Sequence, residues 1–152
     1  MKNQILKISF LFLIVLPNLA KAQFYSGSDI EFGQNRVQYN SYFWQYHAYQ
    51  NFKVYYAAGG EIHAEYVAKS AHKFKREIED MMDYEITDEL EFIVYNSQSK
   101  FKESNIGLRN DGSSNIGGMT KVVGDKIFIY YEGNHDKLDR QVRSGIAKVI
   151  AF

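Results

Sequence analysis

Apolar positions along the chain fall into segments of two different periods. Phe52-Lys-Val-Tyr-Tyr56 alternates and is built from β-branched and aromatic residues, which predicts a strand. Gly59-Gly60 ends it. From Glu61 to Met82 neither Pro nor Gly interrupts, and Ile62, Tyr66, Val67, Ala71, Phe74, Ile78 and Met81 recur at helical spacing with charges between them. That pattern predicts a long amphipathic helix. Leu90-Glu-Phe-Ile-Val-Tyr95 predicts a second strand, Asn96 to Ser99 a cap, and Lys100 to Ser104 a short helix or turn. Gly107, Gly112, Gly117 and Gly118, set among Asn, Asp and Ser, predict a loop from Ile106 to Gly118. Met119 to Val123 and Lys126 to Tyr131 predict a hairpin around Gly124-Asp125. Asn134 or Asp136 is expected to cap a last helix with Leu138, Val142, Ile146 and Val149 as its core stripe. The order β-α-β-β-β-α predicts an α+β fold, a small mixed sheet packed by the long helix and the C-terminal helix.

The ends of the chain change this picture. Lys2 and Lys7 precede a short apolar run, Ile8 to Leu16, and Ala20-Lys-Ala22 has the small-x-small pattern of a cleavage site. Residues 1–22 therefore read as a secretory signal peptide, with the mature chain starting at Gln23. The run is roughly half of the about 20 residues that span a bilayer, so no stable membrane span is expected after cleavage. No cysteine is present, which excludes lipoprotein processing, disulfides and thiolate metal ligands. The formal charge is zero, and removal of Lys2, Lys7 and Lys21 leaves the mature chain slightly acidic. That argues against nucleic acid or an anionic membrane as partner. Residues 23–50 form an aromatic-rich arm, with Tyr42, Phe43, Trp44, Tyr46 and Tyr49 close together. Packing over a hydrophobic face explains such a run, and carbohydrate stacking is the alternative use. The main domain is expected over residues 51–152.

Candidate chemistry is sparse. Of the four histidines, His63 and His72 share the long helix but stand nine apart, and His47 and His135 lie elsewhere. A helical metal pair needs a spacing of three or four. No Gly-x-Ser-x-Gly elbow and no phosphate loop occurs.

The segments FGQNRVQY, NFKVYYAAGGE, EFIVYNSQSKFKESN and GGMTKVVGDKIFIYYEG, with Trp44 and the long helix in their places, together resemble a known family. It is the peptidase-MA-like (gluzincin-like) N-terminal domain of secreted Bacteroidetes proteins that carry a TolB-like β-propeller downstream. The resemblance covers residues 31–152. It implies export to the periplasm or cell envelope, outer-membrane association in some settings, and a partner that is either another protein or a propeller of the same polypeptide. In catalytic members the last helix carries His-Glu-x-x-His, whose histidines hold zinc and whose glutamate polarises water. On this chain those positions fall at Ser144, Gly145 and Lys148. Serine is a poor zinc ligand, glycine offers no base and a protonated lysine repels a cation. The resemblance therefore implies a pseudoenzyme with no metal and no cofactor, serving binding or assembly. An active hydrolase with its site elsewhere, and a glycan-binding module using the aromatic arm, are the rival readings. Gly145 within a helix costs about 1 kcal/mol relative to alanine, so close backbone packing is expected there. Lys148 is expected either to pack or to pair with a carboxylate. The apolar end Val149-Ile-Ala-Phe152 is expected to need cover, as in the N-terminal part of a longer protein.

Overall fold

The structure is a computed structural model that describes residues 40–104, 106 and 120–151. The expected signal peptide and most of the expected glycine-rich loop lie outside the described residues. Among the described residues five strands form one mixed sheet, β1 (Trp44–Ala48), β2 (Phe52–Ala57), β3 (Leu90–Tyr95), β4 (Lys121–Val123) and β5 (Lys126–Tyr130), and three helices accompany them, α1 (Glu61–Met82), α2 (Gln98–Glu103) and α3 (His135–Ala151). The strand order is β1-β2-β3-β5-β4. β2, β3 and β5 run parallel, while β1 and β4 are antiparallel to their neighbours. The α+β class expected from the sequence is therefore the class observed.

One part of the expected layout differs. The aromatic stretch before residue 51 is not separate from the domain, because Trp44–Ala48 pairs with Phe52–Ala57 as β1. Trp44, Tyr46 and Ala48 share one face and Gln45 and His47 the other, and burial does not alternate between them.

The strands of the central parallel group read as almost continuous apolar runs because both faces are covered. On one face, Val54, Phe92, Val94, Ile127 and Ile129 meet Val67, Ala71 and Phe74 of α1 and Leu138, Val142 and Ile146 of α3. On the other, Ile93, Tyr95, Phe128 and Tyr130 pack around Phe101 of α2, with Trp44 and Tyr55 at the margin. Each such large side chain, fully buried, contributes about 1.5–3 kcal/mol. Within α1 the buried stripe is Ala64, Val67, Ala68, Ser70, Ala71, Phe74, Lys75 and Ile78. Ile62 and Met81, which share the helical spacing, are exposed at the two ends, where the helix runs past the sheet.

The helix ends follow local chemistry. α1 stops at Asp83, whose left-handed backbone (φ 49°) lets its N–H donate to Glu79 O. α3 starts where Asn134 Oδ1 accepts from the Asp136 N–H at 2.7 Å, so Asn134 rather than Asp136 is the cap.

Candidate functional site

The positions that the resemblance assigns to a zinc centre lie on α3, and the structure places them against the sheet. Gly145 is buried. A Cβ there would come within 2.3 Å of Ile127 Cγ2 and 3.3 Å of Thr120 Cγ2. The helix backbone thus rests directly on β5, the close approach that the glycine was expected to serve. Lys148 pairs with no carboxylate among the described residues. Its Nζ donates to the Thr120 carbonyl at 3.1 Å, tying α3 to the residue that leads into β4. Ser144 is half-buried beside them. These positions therefore tether α3 to β4 and β5, and a side chain at 145 would point into Ile127 rather than into an open cleft.

Gln141, one turn before Gly145, completes the contact. Its Nε2 donates to Tyr130 O at 2.8 Å and its Oε1 accepts from Tyr130 N–H at 3.1 Å. Among the described residues β4 pairs with β5 as far as Phe128, and the Gln141 amide bonds both backbone groups of Tyr130 further along β5. The side chain is 1% exposed, and both bonds are needed to keep buried backbone groups satisfied.

A second constellation gathers at the carboxyl ends of the parallel strands, the side of an open α/β sheet where ligands commonly sit. His63 stacks on Tyr131 at 4.0 Å, and His135 approaches Tyr131 at 5.5 Å and Tyr66 at 4.2 Å. Burial, and then the neighbouring His135, hold His63 below the usual imidazole range. Burial, and then its hydrogen bond to Asp139, raise the Tyr66 phenol. Ser70 Oγ donates to Asp139 Oδ1 at 2.8 Å. Serine, histidine and aspartate are thus all present, but the serine donates to the acid. A hydrolytic triad needs a histidine between the two. Beside this cluster, Asn96 Nδ2 donates to Ala58 O at 2.9 Å, fastening the β2–α1 turn to the end of β3. A Cβ on Gly60 would meet Asn96 Oδ1 at 2.3 Å and Ala57 O at 3.0 Å, so a side chain there would displace the Asn96 amide. His63 Nδ1 and Asn96 Oδ1 are buried without a hydrogen-bond partner among the described residues.

The sequence offered no sign that His63 and His135 meet on one tyrosine, because no local spacing links them. The aromatic arm divides in use. Trp44 packs edge-on against Tyr95 at 5.2 Å and 84°, while Phe43 and Tyr46 face solvent. Burial, and then Glu103, push the Tyr42 phenol up to about 12; Tyr42 and Asn40 both donate to Glu103 Oε2. Among the described residues no group of three or more His, Cys, Asp or Glu is placed to hold a metal ion, and no helix is long and apolar enough to cross a membrane. No protein-family model, no curated protein and no solved structure matches the chain.

Proposed function

We propose that this chain is a non-catalytic, exported domain that serves binding or assembly in the cell envelope. In this reading it is a zinc-metallopeptidase-like fold whose catalytic helix has been turned to structural use. It forms the N-terminal part of a longer polypeptide with a β-propeller downstream. The observation that supports it is the seat of Gly145 on Ile127. A glutamate base at that position has no room without moving the helix from the sheet. The Lys148 bond to Thr120 O supports it further, since a cation is spent there on a backbone carbonyl.

The test has two arms. Chain purified without a histidine tag is analysed for bound zinc and assayed for hydrolysis of unfolded protein substrate, with and without added zinc. Neither zinc retention nor hydrolysis is expected. Stoichiometric zinc together with chelator-sensitive hydrolysis would overturn the proposal in favour of an active peptidase. Export is checked by fractionation, and N-terminal sequencing of the exported product should begin at Gln23. A product that keeps Met1 in the membrane would remove the envelope assignment.

A further inference from the structure

α1 carries Lys69, His72, Lys75 and Arg76 at helical spacings, all on the wall of one cavity beneath the β1–β2 connection. The cavity holds about 540 Å³, and Tyr49, Phe52 and Ala68 complete its lining. That volume falls within the about 300–1,000 Å³ typical of small-molecule sites. Its floor is apolar, since Phe52 and Ala68 are buried. Tyr49 stacks on Phe52 at 5.1 Å and 25° and remains 38% exposed. A flat ring face is therefore within reach from the cavity.

The charges around this floor are unequally employed. Lys75 donates to Glu79 at 2.6 Å and to Ile86 O. Lys69 is paired with Glu65 at 2.7 Å. Arg76 and Glu85 line the same cavity and have no ion pair among the described residues. A guanidinium grips a carboxylate through two parallel bonds, and an aromatic floor beside it suits a flat apolar body. Glu79 and Glu85 on the rim disfavour ligands of higher negative charge by repulsion.

We infer that this groove binds a small aromatic carboxylate, with Arg76 holding the anion and Tyr49 over Phe52 forming the stacking surface. The site lies away from α3 and stands independently of how the α3 positions are read. The zinc and hydrolysis measurements do not bear on it.

The experiment titrates the full chain with 3-phenylpropionate, followed by calorimetry and by amide chemical shifts. Saturable binding is expected, with shifts at Tyr49, His72 and Arg76. Arg76→Gln should weaken it about tenfold or more, the effect of losing a charge-assisted bond. The neutral amide 3-phenylpropanamide should bind more weakly by a similar factor, and Tyr49→Ala should also weaken binding. Arg140→Gln, which changes an exposed cation on α3, should leave the affinity unchanged. Arg76 is exposed, so its variant should keep the parent circular dichroism spectrum. Absence of shifts at the groove with millimolar ligand would overturn the inference. So would binding that is equal for the amide, or equal in Arg76→Gln.

Discussion

Gly145→Ala sets two effects against each other. Helix propensity alone favours alanine by about 1 kcal/mol. The added Cβ, however, would sit 2.3 Å from Ile127 Cγ2 and 3.4 Å from its Cδ1. Cγ2 is the branch methyl of a residue that is fully buried, so it has no free end that can swing away. Either Ile127 leaves its rotamer or α3 lifts from β5. Overpacking of this kind costs about 1–3 kcal/mol. After the propensity gain, a net loss of about 0–2 kcal/mol is expected, or up to about 8 °C in melting temperature for a chain of this size. The assay is urea unfolding followed by far-UV circular dichroism, arranged as a double-mutant cycle with Ile127→Ala. That partner substitution removes the obstructing methyl and by itself costs about 2–5 kcal/mol. In its background Gly145→Ala should become neutral or stabilising. Stabilisation by Gly145→Ala in the parent chain, or strict additivity in the cycle, would refute the claim that helix and strand are in direct backbone-level contact.

Three further outcomes are expected. Gln141→Leu should destabilise the fold by about 2–5 kcal/mol, because it strands the buried N–H and C=O of Tyr130; a loss under about 0.5 kcal/mol in urea unfolding would contradict that assignment. The Lys75–Glu79 pair is 11% and 14% exposed and Glu79 also accepts from Ile86 N–H, so Glu79→Leu alone should cost about 3–5 kcal/mol, whereas Lys75→Met combined with Glu79→Leu should cost less than Glu79→Leu alone. His63 has its folded pKa lowered by burial and by His135, so its contribution is fully present above the ordinary imidazole value of 6.5 and is lost as pH falls through the folded value; thermal melts should show that acid-side decline, and His63→Phe should flatten it.

The long helix, the three parallel strands and the last helix were legible because their burial follows one period each. Val67, Ala71, Phe74 and Ile78 on α1, and Leu138, Val142 and Ile146 on α3, are buried as their spacing requires. β1 was not legible as a strand, since Tyr46 and Ala48 on one face are as exposed as Gln45 on the other and no alternation results. Gly145 announced a close approach through its propensity cost, but its partner Ile127 could be named only from the sheet order. Gln141 gave no signal at all. Its importance arises from where β4 stops, which is a property of another segment. The same holds for His63 and His135, which meet through Tyr131 only after two crossovers have brought the ends of β2 and β5 to one side. Patterns within a segment are written in the sequence, whereas convergence between segments is set by topology.

The Gln141 amide also has a bearing on how the chain avoids itself. A strand that outlasts its neighbour leaves free N–H and C=O groups, and these invite a strand from another molecule. At Tyr130 of β5 those groups are taken by the Gln141 carboxamide, and the residues of β5 are strongly apolar. With its carboxamide bonded both ways to that residue, Gln141 keeps an incoming strand from pairing at Tyr130. A chain that is still folding meets other copies while its strand edges are bare. Docking of α3 is therefore the step that ends the exposure. A Gln141 variant should accumulate as aggregate during refolding at high concentration, out of proportion to its loss of equilibrium stability.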